Sequence, residues 1–151
     1  MHPSDPIRRV LSIDLSRRTY EIAERPDLFE AVLGGAGVGI RLLEEGCPPG
    51  TDPLGPGNPI VLAVGPLVGL YPLASKTVAM FKSPHTGNLG ESHAGGRSAV
   101  SIRMAGYGAI VITGRSPSPT YLVIEDGRVA FRDASALWGL RSSTTVGSIL
   151  R

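Results

Sequence analysis

The chain has 151 residues, enough for one domain with a buried core. Apolar residues make up 42% and charged residues 19%, with 20 Gly and 13 Pro, which favours a compact, loop-rich domain over a disordered chain. The net charge of +2 comes from scattered arginines, which argues against nucleic-acid binding, and a single cysteine excludes a disulfide framework or an iron–sulfur cluster built from this chain's own thiols.

The first elements form a hairpin followed by a helix. Apolar and polar residues alternate over Leu11–Leu15 and again over Thr19–Ile22, which predicts two antiparallel strands. Asp27, with Glu30 three residues later, indicates an N-cap and capping box that start a short helix ending at Leu33. The glycines that follow Leu33 accept the left-handed conformation that ends a helix.

Residues 38–45 are predicted to form a second short helix, and the proline-rich segment 46–59 a loop. Five later runs predict strands: Ile60–Val64, Thr77–Phe81, Ala109–Thr113, Tyr121–Ile124 and Arg128–Phe131. The last two flank an Asp-Gly pair and predict a hairpin. Gly95–Ala105 fits both helical and strand spacing, and its flanking glycines favour the helix. Thr144–Arg151 resembles the beginning of a helix, so we expect the chain to stop inside a longer architecture.

No apolar run approaches the ~18–20 residues that span a bilayer, and the first residues contain no apolar signal region. We therefore expect a cytoplasmic protein with neither a membrane nor a nucleic acid as partner. Together the elements predict an α+β domain over residues 1–151, with mixed or antiparallel sheets, hairpins and a few short helices.

Two glycine-rich segments invite a ligand-binding interpretation. Leu33–Gly39 lacks the third glycine of a dinucleotide fingerprint, since position 40 is Ile, and a helix rather than a strand precedes it. It is better explained as a tight junction between two helices. Gly95 and Gly96, followed by Arg97, allow either an anion site at a helix start, with Lys76 adding charge, or a simple turn. His85 and His93 are eight residues apart, which is not the spacing of a helical metal pair.

Three groups of segments, taken in their order and spacing over residues 7–148, resemble the N-terminal domain of the tungsten-containing aldehyde:ferredoxin oxidoreductase family. The first group is Arg9–Ser16 with Leu33–Gly37, the second is Ala63–Gly69 with Lys82–Gly87, and the third is Ala105–Gly114 with Arg132–Gly139. Each segment alone is a weak signal.

The resemblance implies an α+β domain that forms the base for a tungsten (or molybdenum) bis-pterin cofactor, whose two phosphates are bridged by a magnesium ion. It places cofactor contacts at Lys76, His93 and Gly95, where the family often has Arg at the first position and Asn at the second. The neighbouring Gly96 and Arg97 belong to the anion site considered above. The backbone carbonyl of His93 is the implied magnesium ligand.

The resemblance also implies what this chain does not contain. In the family, the cysteines of the 4Fe–4S cluster and the residues of the substrate cavity come from later domains. We therefore expect no catalytic residue in this chain. The expected partners are the remaining domains, or a subunit that carries the cluster, and ferredoxin for the whole enzyme, which oxidises aldehydes to acids. Alternatives are a non-catalytic module that binds phosphate, pterin or a partner protein, and a gene fragment without function.

Overall fold

The computed structural model describes residues 5–150. The chain divides into two compact units, one ending at Arg115 and one beginning at Ser116, and each is described by itself. The first unit contains a 3-10 turn Pro6–Arg8, β1 Arg9–Asp14, β2 Thr19–Glu24, α1 Pro26–Val32, α2 Gly35–Gly46, β3 Ile60–Val64, β4 Thr77–Lys82, β5 Leu89–Ala94, α3 Ser98–Met104 and β6 Ala109–Thr113. The second contains β7 Thr120–Glu125, β8 Arg128–Asp133 and α4 Ser143–Ile149.

One six-stranded sheet organises the first unit, in the order β2-β1-β6-β3-β4-β5. The β1–β6 pair is parallel and the other four pairs are antiparallel. The apolar runs occupy the middle of the sheet, where Val61, Ala63 and Ala109 are fully buried. The predicted fold class, α+β with a mixed and mostly antiparallel sheet, is confirmed.

Helix α2 packs on strands β3 and β4. It buries Val38, Leu42 and Leu43, whose spacing gives the helix one apolar face. At Gly39 the helix comes so close to the sheet that an added Cβ would lie 2.8 Å from Cγ of Met80. A larger residue at this position would therefore require the Met80 side chain or the helix to shift.

The second unit contains the predicted hairpin. β7 and β8 pair antiparallel with Glu125 opposite Arg128. Asp126 and Gly127 both have positive φ, 50° and 72°, as a two-residue hairpin turn of the mirror-image type requires. The single domain predicted over residues 1–151 stays a prediction.

Two details of the sequence prediction are wrong, and one strand was not predicted. Asp27 is not an N-cap, because α1 starts one residue earlier at Pro26, a residue suited to the first helical position, and Arg25 occupies the cap without a side-chain cap hydrogen bond. Helix α2 begins at Gly35, three residues before the predicted start at residue 38. Strand β5, Leu89–Ala94, lies in a segment for which the sequence predicted no element. The helix favoured within 95–105 is confirmed as α3.

Candidate functional site

A cavity of about 340 Å³ opens beside the start of α2. The first residues of this helix form one side of it, and the segment that connects β3 to β4 forms much of the rest. The lining residues are Gly35, Ala36, Gly65, Pro66, Leu67, Val68, Leu73, Ala74, Ser75, Lys76, Val78 and His93. Most of these side chains are apolar, while Lys76 and His93 are the two that carry a cation or a titratable ring.

The pairing of β4 with β5 brings Lys76 and His93 together. Val78 pairs with His93, and Thr77 pairs with Ala94, so that Lys76 and Gly95 lie just beyond the last pair of the ladder. Both the Lys76 and the His93 side chains are exposed at the cavity. Two residues that are 17 positions apart in the chain thus line one cavity, and their role as cofactor contacts stays a prediction.

The imidazole of His93 already has a partner on its own strand. Its Nε2 forms a hydrogen bond with the Glu91 carboxylate, two residues earlier on the same face of β5. Within the part of the chain that the structure describes, no group of three or more His, Cys, Asp or Glu residues is placed to hold a metal ion. The backbone carbonyl of His93 as a magnesium ligand stays a prediction.

The segment Gly95–Arg97 connects β5 to α3 and does not contribute to the cavity lining. Arg97 is the N-cap residue of α3 and makes no side-chain cap hydrogen bond. A Cβ added at Gly95 would meet no atom within 4 Å, so internal packing does not require glycine there. Gly96 has a φ of 101°, a backbone conformation that by itself favours glycine. Only Lys76 and His93, among the five predicted site residues, line the cavity.

Sequence reasoning missed the contribution of the Leu33–Gly37 junction to this site. At Gly34 the chain passes so close to the end of β3 that an added Cβ would lie 2.9 Å from the Val64 carbonyl oxygen and 3.3 Å from Cδ of Pro66. With its φ of 140°, this position also favours glycine. The predicted tight junction between two helices is found at Gly37 of α2, where an added Cβ would lie 2.9 Å from Cβ of Val32 of α1, whereas the contact of Gly34 with the end of β3 was not predicted. The position of these glycines beside a cavity depends on the connection between β3 and β4, which no local pattern reveals.

The residues present fit part of a bis-pterin group. The apolar walls suit one flat ring system, and the Lys76 ammonium beside them suits a phosphate. The volume of about 340 Å³ is at the lower end of the range for small-molecule pockets. Open space at Gly95 leaves room for a neighbouring group on the same side of β5.

Comparison with known proteins gives a consistent picture. Residues 10–151 match the family described as aldehyde ferredoxin oxidoreductase, N-terminal domain. A tungsten-containing aldehyde ferredoxin oxidoreductase of Thermococcus kodakarensis is 37% identical over 143 residues, which cover 93% of this chain and 24% of that protein. The aliphatic sulfonate oxidoreductase, WOR-like subunit, of Pyrococcus furiosus is 33% identical over 87% of this chain and 22% of its own length.

A solved structure extends the similarity to the fold. The structure described as the active site complex BamBC of benzoyl coenzyme A reductase with 1,5-dienoyl-CoA aligns with a TM-score of 0.92 and 32% identity. The alignment covers 99% of this chain and 23% of that one. The chain thus spans about a quarter of the length of the proteins that it matches. It belongs to the family of aldehyde ferredoxin oxidoreductase N-terminal domains.

Proposed function

We propose that this chain is the cofactor-cradling domain of a tungsten (or molybdenum) pterin oxidoreductase. The observation that carries this proposal is the position of Lys76 and His93 in one cavity, since a pterin with a phosphate needs a flat apolar slot and a cation beside it. The tungsten-containing enzymes among the relatives support the choice of cofactor.

In this proposal each residue has a binding role and none is catalytic. Lys76 would bind a cofactor phosphate as a point charge, without the bidentate geometry that an arginine offers. The His93 backbone carbonyl would bind the bridging magnesium ion, while the His93 imidazole keeps its hydrogen bond with the Glu91 carboxylate. Gly95, which has no side chain, would leave space for part of the cofactor. Gly96 and Arg97, in the connection between β5 and α3, would border that space.

The whole enzyme would oxidise an aldehyde to an acid and transfer two electrons to ferredoxin in the cytoplasm. The bound metal–pterin group supplies the redox chemistry, and this chain's residues bind and orient it. The remaining domains, or a separate subunit, would supply the 4Fe–4S cluster, because Cys47 alone cannot hold one. Among the described helices, none combines the length and apolar character needed to cross a membrane.

A fluorescence titration with 6-hydroxymethylpterin phosphate tests the binding role of Lys76. The wild-type chain is expected to bind this phosphorylated pterin, with an affinity that falls as salt is added. Lys76→Met should weaken binding about tenfold, because it removes a charge-assisted contact worth roughly 1.5–3 kcal/mol when formed well. Lys76→Arg should keep most of the affinity.

Arg41→Met is the matched control, since Arg41 is an exposed cation paired with Glu44 on α2 and does not line the cavity. Its affinity should equal that of the wild type. A wild-type chain that does not bind the pterin, or equal losses for the Lys76→Met and Arg41→Met variants, would contradict the proposal.

A second candidate function, a module that docks to a partner protein, is favoured by the apolar surface around the cavity. Several large apolar side chains of the β3–β4 connection are exposed, including Leu67, Leu70, Tyr71 and Leu73, of which Leu73 is 98% exposed. Exposed apolar patches of this kind mark interaction surfaces. The two functions are compatible, because a partner on this surface would also close the cavity.

The docking function is tested by expressing the chain with the Thermococcus kodakarensis relative from which the matching 143-residue segment has been removed. We expect the two to co-purify, and Leu73→Asp to abolish the association. Leu54→Asp, at a leucine that is 73% exposed and outside the cavity, should leave it intact. Co-purification that is insensitive to Leu73→Asp would exclude this surface.

A further inference from the structure

The wall of the cavity between Gly65 and Val68 is anchored by an arginine that does not itself line the cavity. Arg103, near the end of α3, donates a hydrogen bond from Nη1 to the Pro66 carbonyl oxygen at 3.1 Å. Pro66 and its neighbour Leu67 both line the cavity. Arg103 therefore contacts the wall without lining the space that a ligand would occupy.

Arg103 is held in turn by a carboxylate 98 residues away in the chain. Its Nη2 lies 3.2 Å from Oδ1 and 3.1 Å from Oδ2 of Asp5. The side chains are only 13% and 16% exposed, so this pair is screened from water far more than a surface ion pair. Asp5 is fixed by its own neighbours, because its Oδ1 accepts from the Ile7 amide and its carbonyl oxygen accepts from the Arg8 amide.

Pro66 is also confined on its other side. The backbone at Gly34 approaches Pro66 so closely that a Cβ there would lie 3.3 Å from its Cδ. Beyond Pro66, Val68 is buried in the core, and the Gly69 amide donates to the Ala74 carbonyl, which closes the rest of the connection into a loop. The position of Pro66 between Gly34 and Arg103 thus sets the separation of the two cavity walls.

We propose that Arg103, held by Asp5, is a positioning residue that fixes the width of the pterin slot. This inference rests on the proposed function for its ligand, although the anchoring itself does not depend on a ligand. A preorganised slot binds a rigid ring with less loss of conformational freedom than a mobile one. Removal of the guanidinium should therefore release the wall and weaken binding, although Arg103 never touches the ligand.

Amide hydrogen exchange of the purified chain tests the anchoring without any ligand. In Arg103→Met, the amides of Val68, Gly69 and Leu70 should exchange at least about tenfold faster, because hydrogen bonds to a charged group that hold the wall are lost. The amides of the central strands β3 and β6 should keep their wild-type rates. Arg103→Lys retains a charge and one donor, so it should restore part of the protection. Arg41→Met again serves as the control.

Asp5→Asn provides a second variant if Arg103→Met does not fold, since asparagine keeps an acceptor oxygen and loses the charge. It should give a smaller acceleration at the same amides. Unchanged exchange of the wall in a folded Arg103→Met or Asp5→Asn variant would overturn the inference. Acceleration spread evenly over β3 and β6 would also overturn it, because Arg103 would then support the whole fold rather than the wall.

The same variants are then titrated with 6-hydroxymethylpterin phosphate. We expect about tenfold weaker pterin binding for Arg103→Met and a smaller loss for Arg103→Lys. The variant with the faster amide exchange should therefore bind the pterin more weakly. A released wall with unchanged pterin affinity would refute the positioning role alone. A wild-type chain that does not bind the pterin would refute the proposed function. In that case the amide exchange rates would still show whether Arg103 anchors the cavity wall.

Discussion

At Gly108 the chain has no room for a side chain. This residue lies directly before β6, and an added Cβ would lie 1.8 Å from the Ile7 carbonyl oxygen and 2.6 Å from two ring carbons of Phe29. Phe29 is itself almost completely buried. The first unit thus brings its amino-terminal turn, α1 and β6 together at one glycine, and a backbone oxygen cannot move aside as the end of a flexible side chain can.

Gly108→Ala should therefore destabilise the protein by about 3 kcal/mol or more, beyond the usual cost of an overpacked core. The measurement is the midpoint of urea unfolding at constant m-value. Gly57→Ala is the matched control, since its Cβ would meet only a methyl group of Thr51 at 3.7 Å, and the midpoint should hardly change. Equal midpoints for the two variants would contradict this packing.

Among the secondary-structure elements, the buried strands were predicted accurately from the sequence and the exposed edge strand was not. Strands β3 and β6 are central and apolar, and their residue ranges were predicted closely. Strand β5 has the sequence Leu-Gly-Glu-Ser-His-Ala, is exposed along nearly its whole length and lies at the sheet edge, so it has no buried face to impose an apolar alternation. Because this strand pairs with β4, its absence from the prediction also hid the proximity of Lys76 and His93. Only the family resemblance indicated both residues.

The start of α1 is tied to the end of α2 by an ionic cluster. Arg25 donates to both Glu45 carboxylate oxygens at 2.9 Å and to Oδ2 of Asp27 at 3.1 Å. These hydrogen bonds from Arg25 hold the pKa values of Asp27 and Glu45 below their ordinary values of 3.8 and 4.5. The same bonds raise the pKa of Arg25. Asp27 was predicted to cap α1 and instead forms part of this cluster.

This cluster makes a contribution to stability that depends on pH. Because the folded pKa values of Asp27 and Glu45 are depressed, the contribution is present above their ordinary pKa values and is lost as pH falls through the folded values. The urea midpoint should therefore drop between pH 6 and pH 3. In Arg25→Met this drop should be smaller. Arg41→Met, which breaks an exposed pair on α2, should retain nearly all of the drop, because Arg41 makes only the smallest contribution to the lowered pKa of Glu45. Identical pH profiles for the wild type and Arg25→Met would contradict the assignment.

At the scale of the whole molecule, the composition agrees with the family assignment. The chain covers about 24% of its tungsten-containing relatives and has one cysteine, so its proposed part in the enzyme is to hold the cofactor and not to relay electrons. The excess of Gly and Pro is concentrated in connections such as 46–59 and 65–76, and the second of these forms the cavity wall. Composition indicated ordered loops, but only the three-dimensional pairing of strands shows which loop borders the cavity.

The proposed function requires that the cavity beside α2 holds the pterin. The most direct measurement is an NMR titration of the ¹⁵N-labelled chain with 6-hydroxymethylpterin phosphate, in which the amide shifts report the contact surface. We predict that the largest changes fall on Gly35, Leu67, Lys76 and His93, with smaller changes at Gly95. Saturable changes confined to other residues, or no changes at all, would contradict it.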